Sequence, residues 1–219
     1  GFEALLTSDG MIPGERFRVG DRIRAYIKEV IKEQKGAQIF LSRTDNMFLA
    51  ELFRQEVPEI YDGIIEIRGI ARDPGSKAKV AVYSRNETSD IIGATVGIRG
   101  VRVQAVTNEL RGEKIDVIEW NADPSIYISA ALLPAQVLAV DINEEEKFAQ
   151  VIVPDDQLSL AIGKSGQNAR LAARLTNWKI DIKSESQFRE MLMAQAEAGD
   201  AEEVEEVETE TEETVETEE

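Results

Sequence analysis

An α+β fold containing an internal duplication is predicted by three landmarks that recur in the same order. Gly97-Ile98-Arg99-Gly100 maps onto Gly163-Lys164-Ser165-Gly166 with an offset of 66 residues. KIDVI at 114 maps onto KIDIK at 179 with an offset of 65, and AKVAV at 78 onto AQVIV at 149 with an offset of 71. Between the landmarks the apolar residues switch from a period of two, expected of half-buried strands, to helical spacing and back.

The first segment stands outside the repeat. In DRIRAYIKEVIK, from Asp21, the apolar residues Ile23, Ala25 and Ile27 alternate with Arg22, Arg24, Tyr26 and Lys28, so a strand with its apolar residues turned inward is expected. A turn around Lys35 and Gly36 leads to a second strand, AQIFLSR, and the pair reads as a hairpin. Two strands bury no core alone, so a segment before Gly1 is expected to complete the sheet. The first ten residues, GFEALLTSDG, have neither a basic n-region nor an apolar h-region. They read as chain entered in mid-domain, not as a signal peptide.

Each repeat then reads helix–strand–strand–helix–GxxG–helix–strand. In the first copy, Leu49, Leu52 and Phe53 lie at helical spacing and the run stops before Pro58, whose ring disfavours helix in the preceding residue. Strands are expected at 64–72 and 78–84 around the turn Asp73-Pro74-Gly75-Ser76. Val103, Val106 and Leu110 mark a helical face, and KIDVIEW (114–120) a strand. The second copy predicts a helix from about Ser125 to Leu133, strands at 136–142 and 148–153, helical DDQLSLAI, helix QNARLAARL and strand KIDIK. A short amphipathic helix with Phe188, Met191 and Leu192 closes it. Trp120 and Trp178 flank the KID strands and are expected in the core or an interface.

Charge is unevenly distributed. The formal net charge is −17, but 13 of the 42 acidic residues and none of the 25 basic ones lie in 196–219. The body, 1–195, therefore holds 29 acidic and 25 basic residues, a net of −4, and binding is judged from local patches. The acidic tail has no apolar periodicity and repels itself, so disorder is expected there. The chain contains no Cys and no His, which excludes disulfides, thiolate metal sites and any mechanism built on those side chains. No cofactor, metal or catalytic constellation is expected, no stretch has the roughly 20 apolar residues of a membrane span, and a cytosolic protein is the expectation.

The order of elements with a GxxG turn between two helices is that of the type II KH fold, whose turn clamps about four nucleotides of a single strand. Two glycines let a sugar–phosphate backbone approach without Cβ collisions, and the following helix offers free N–H groups and a positive dipole end. The candidate RNA-binding residues are Gly97, Ile98, Arg99, Gly100 and Arg102 in the first copy, and Gly163, Lys164, Ser165, Gly166, Asn168 and Arg170 in the second. A lone GxxG is often a plain turn. Two copies, each followed after 16 or 17 residues by KID, argue for the binding motif. A P-loop is excluded because Leu158 stands where its first glycine belongs. DINEEE (141–146) has Glu146 where a calcium loop needs glycine. Arg22, Arg24 and Lys28 read either as a solvated face or as the wall of a groove.

These segments resemble the NusA family of bacterial transcription factors. GDRIRAYIKEV with QIFLSRT is similar to the closing hairpin of an OB-fold of the ribosomal S-one type. FLAELFRQEVPEIYDGIIEIRGIARDPGSKAKVAV with VGIRGVRVQAVTNELRGEKIDVIEW resembles the family's first KH domain, and AIGKSGQNARLAARLTNWKIDI its second. The resemblance covers residues 1 to about 185 and implies the end of an OB-fold module (1–44), two KH domains (45–121 and 122–190) and a disordered acidic tail (191–219). It further implies a non-enzymatic regulator of elongation, pausing, termination and antitermination. Its partners would be nascent single-stranded RNA, other antitermination factors and RNA polymerase, the last mainly through an N-terminal domain that would precede Gly1. The tail matches no RNA-binding pattern and reads as a solubilising extension or a competitor for the basic edges. The competing class is a protein-docking scaffold whose KH turns no longer hold RNA; the cations Arg99, Arg102, Lys164 and Arg170 favour RNA.

Overall fold

The computed structural model describes residues 3–32, 39–86 and 90–198. The first module is a three-stranded sheet of β1 (Ala4–Leu6), β2 (Tyr26–Val30) and β3 (Ile39–Ser42), in the order β1-β3-β2, with β1 parallel and β2 antiparallel to β3. The hairpin is as expected from the sequence; its turn at Lys35 and Gly36 lies outside the described residues. Two expectations change. The strand starts at Tyr26, and the residues that face inward are reversed. Tyr26 packs against the core of the next module, whereas Ile23 and Ile27 are 40% and 55% exposed. The cause is position: β2 is an edge strand whose Tyr26 side lies against the following helix, while Ile27 on its other side stays exposed. β1, which no periodicity marked, supplies the third strand.

The first repeat consists of α1 (Asn46–Glu56), α2 (Pro58–Tyr61), β4 (Glu66–Asp73), β5 (Lys77–Tyr83), α3 (Ile91–Val96), α4 (Val101–Glu109) and β6 (Lys114–Glu119). The second consists of α5 (Pro124–Ala131), β7 (Ala139–Asn143), β8 (Phe148–Val153), α6 (Leu158–Ile162), α7 (Gln167–Thr176) and β9 (Lys179–Ser184). A terminal helix follows over 185–198. It runs past 191, the residue at which disorder is expected from the sequence; residues 199–219 lie outside the described ones. Local chemistry explains the helix starts. Asp45, Asp90 and Asp123 cap α1, α3 and α5 by accepting the N–H groups of Met47, Gly93 and Ser125, and Pro124 occupies the first turn of α5.

The two sheets have the same topology, β4-β5-β6 and β7-β8-β9: an antiparallel pair, then a parallel pair whose crossover carries the GxxG turn. One face of the first sheet (Ala78, Val80 and Val82) packs on α1 and α4, through Phe48, Leu49, Leu52, Phe53, Val106 and Leu110. Ile12 of the first module is 1% exposed within this same core. The opposite face, Ala71, Ala81 and Ile118, is covered by Tyr127, Ile128 and Leu175 of the second repeat. One apolar cluster therefore runs across the junction of the two repeats. Small residues make this possible: a Cβ on Gly69 would stand 3.1 Å from both Leu175 Cδ1 and Tyr127 Oη.

Buried charges stitch the modules together. Arg43, 4% exposed, donates to the Glu15 carboxylate at 2.8–3.1 Å, and to the Glu109 carboxylate and carbonyl of α4 at 2.9 Å each. Arg72 pairs bidentately with fully buried Glu113 at 2.8 and 2.9 Å. Lys79 is fully buried between Asp116 Oδ2 (2.9 Å) and the Leu133 carbonyl (2.8 Å). Burial pushes its pKa down, and the Asp116 charge offsets this only partly. Burial also pushes the Tyr127 hydroxyl up to about 12. Among the described residues no buried side-chain polar atom lacks a partner.

Both tryptophans take the expected place. Trp178 lies in the second core at 9% exposure, and Trp120 packs edge-on to Tyr83 at 5.4 Å, beside the junction residue Tyr127.

Candidate nucleic-acid interface

The two GxxG turns have nearly identical backbones. Gly97, Arg99 and Gly100 adopt φ/ψ of 80/165°, 55/25° and 76/14°; Gly163, Ser165 and Gly166 adopt 76/171°, 53/29° and 73/13°. The first glycine is required twice over. Its φ/ψ is accessible essentially only to glycine, and a Cβ would stand 2.7 Å from Arg102 Cγ at Gly97, or 2.8 Å from Asn168 Cβ and N at Gly163. The third position is left-handed without being glycine in either copy, which tips Arg99 and Ser165 outward.

The turn feeds a helix whose first N–H groups no side chain caps, in α4 and in α7 alike. Uncapped N–H groups together with the dipole make each helix start a ready anion site. Ile98, Arg99, Lys164 and Ser165 are exposed, Ile98 at 86%. Among the described residues neither Arg99 nor Lys164 forms an ion pair.

Four candidate residues are thus brought to the tips of the turns, with the glycines beneath them. Three others play different parts. Asn168, a candidate RNA-binding residue, is buried at 3% exposure, with its amide donating to the Ala161 and Leu132 carbonyls at 2.9 and 3.1 Å. It occupies the place that Arg102 holds in the first copy, five residues after the first glycine. Arg102 donates to the Ala94 carbonyl at 2.5 Å and to Glu59 at 2.9 Å. Both side chains satisfy carbonyls at the end of the preceding helix that no helical N–H reaches, so they pin the turn from behind. Arg170 is half exposed but bound: it donates to Asp73 at 3.1 Å and to the Ser165 carbonyl at 3.4 Å.

The sequence reading missed Asp73, Gln167 and Arg174. Asp73 ends β4, and its carboxylate accepts hydrogen bonds from Gln167 (3.1 Å), Arg170 (3.1 Å) and Arg174 (2.6 Å), all on α7. Partial burial pushes the Asp73 carboxyl up, but the bonds from Gln167, Arg174 and Arg170 outweigh it and hold the pKa below the ordinary 3.8. The partners lie 94 to 101 residues away in sequence, so no local pattern announces them. Asp73-Pro74-Gly75 signalled only a turn.

Comparison with known proteins places these units. Residues 43–120 match the NusA-like first KH domain, and residues 124–190 the NusA-like second KH domain. The chain is 54% identical over 200 residues to the transcription termination/antitermination protein NusA of Halalkalibacterium halodurans, covering 91% of this chain and 52% of that one. It is 53% identical over 189 residues to the NusA of Bacillus subtilis (86% and 51%), and 50% identical over 188 residues to that of Rickettsia conorii (84% and 37%). The chain thus spans about half the length, or less, of these curated relatives. Two NusA-like KH domains in order, with identity of 50% or more across most of the residues, show that the chain belongs to the NusA family.

Proposed function

We propose that this chain is the RNA-binding part of a transcription termination/antitermination factor and holds one single strand of RNA across both KH turns. The observation that carries the reading is the matched pair of GxxG turns, each exposing a cation or hydroxyl over an uncapped helix start. A KH turn of this shape grips a sugar–phosphate backbone while the bases splay away from it. No step of bond chemistry is needed, so the activity is binding and non-enzymatic. Residues 1–44 act in this reading as the end of an OB-type module, with exposed Arg22, Arg24 and Lys28 extending the same strand's path. The wider role in termination and antitermination follows the names of the relatives; elongation, pausing and contact with RNA polymerase follow from the family resemblance.

Fluorescence anisotropy with a labelled RNA of about 14 nucleotides tests the reading. Single-stranded RNA should bind and a blunt duplex of the same sequence should compete poorly. Each neutralised phosphate contributes about −0.7 to the slope of log affinity on log salt. With Arg102 and Arg170 already paired inside the protein, Arg99 and Lys164 leave a slope from the turns of roughly −1.4. Equal competition by duplex would overturn the single-strand groove, and no binding of either RNA would favour a docking scaffold.

A further inference from the structure

We propose that Asp73 is a positioning residue that fixes the spacing and relative orientation of the two GxxG turns, so that one RNA strand engages both; this rests on the function proposed above. Beside hydrogen bonds from Lys79 to the Leu133 carbonyl (2.8 Å), from Lys77 to Asn168 (3.5 Å) and from Arg174 to the Arg72 carbonyl (3.1 Å), two larger contacts join the repeats. One is the apolar contact of Gly69 with Leu175 and Tyr127 near the middle of β4. The other is Asp73 at the end of β4, where one carboxylate gathers Gln167, Arg170 and Arg174. An apolar patch is non-directional, and the single Lys79 bond beside it still lets the second repeat turn about that point. Charge-assisted hydrogen bonds are directional and strong, and here they act at a distance from the pivot.

The contact bears directly on the second turn. Gln167 is the residue after Gly166, and it also donates to Ser76 Oγ at 2.9 Å. Arg170 reaches Asp73 with one nitrogen and the Ser165 carbonyl with another. Asp73 belongs to the first repeat, so a displacement of its loop moves the second turn with it. Two sites joined rigidly at the right span bind one ligand far more tightly than either site alone, and the gain is lost when their geometry loosens.

The absence of native cysteine makes a distance measurement clean. Spin labels are placed at Q104C on α4 and S159C on α6, both exposed, in the parent and in D73A and D73N. Pulsed electron spin resonance should give one narrow distance distribution in the parent and a broadened one in D73A. D73N keeps one acceptor oxygen and should fall between. Anisotropy is then read on unlabelled proteins with RNAs of about 5 and about 14 nucleotides, because a turn holds about four. D73A should weaken the long RNA about tenfold and the short one less than twofold. Circular dichroism melts confirm folding, and D73N decides if D73A does not fold. A distribution as narrow as the parent's overturns the proposal. So does equal weakening of both RNAs, or tightening of both, the result expected if Asp73 acts only as a negative charge near phosphate. If the parent binds neither RNA, the function proposed above fails, while the distance distributions still decide whether Asp73 sets the spacing.

Discussion

Replacing Lys164 and Ser165 together by Asp reverses the charge at the tip of the second turn while keeping both glycines. The structure sets the cost to folding. Both side chains are exposed, the Ser165 carbonyl that Arg170 contacts belongs to the backbone and stays, and aspartate tolerates the left-handed conformation of Ser165 (φ 53°) better than most residues. Stability should therefore change by no more than about 0.5 kcal/mol. Binding should change more. A unit charge about 5 Å from a phosphate in water is worth about 0.8 kcal/mol, and screening at 0.15 M salt cuts that to about 0.4. One attraction lost and two repulsions gained then cost about 1.3 kcal/mol, a roughly tenfold weaker affinity. At 0.01 M salt the same charges are worth about 2 kcal/mol, roughly thirtyfold. Anisotropy at the two salt concentrations, with melts alongside, measures both effects. A folded double variant that binds RNA like its parent at low salt would show that the second turn is architectural and would refute the electrostatic argument.

Three further outcomes follow from the geometry. Gly163→Ala forces a Cβ to 2.8 Å from Asn168 at φ 76°, and urea unfolding should show a loss of roughly 2–3 kcal/mol; a loss under about 0.5 kcal/mol would mean the turn relaxes freely. Arg43→Ala leaves the Glu15 carboxylate, 2% exposed, without its partner, and should cost about 3–5 kcal/mol in the same assay. A small loss there would mean that water reaches Glu15. Asp73 has a folded pKa below the ordinary 3.8, so its carboxylate stabilises the fold fully above that value, and the contribution disappears as pH falls through the lowered one. The stability gap between the parent and Asp73→Asn should accordingly be widest near pH 6 and close in acid. A gap that does not vary with pH would show that charge is not what Asp73 contributes.

Much of the architecture was legible because it is periodic or punctuated. The duplication, the helix starting behind Asp45 and stopping at Pro58, and the strands either side of Asp73-Pro74-Gly75-Ser76 all rest on interactions within a few residues. The GxxG turns were legible for the same reason, since the backbone conformation of Gly97 and Gly163 demands glycine locally. The first module was read less well. Period two in DRIRAYIKEVIK identified a strand and its antiparallel partner, but only the packing of α1 against Tyr26 decides which face is inside.

What the sequence determined by itself is therefore the elements of the two repeats and their order, the two turns and the segregation of acid into the last two dozen residues. What the tertiary structure alone decided is how the copies are joined and which polar residues remain available to a ligand. Asn168 and Arg102 look in sequence like members of a binding edge, yet their side chains satisfy carbonyls behind the turn. Arg170 is held by an aspartate 97 residues away. Local pattern reports a residue's period and conformation. Its hydrogen-bond partners depend on which surfaces meet, and that is set by the apolar face of one repeat finding the sheet of the other.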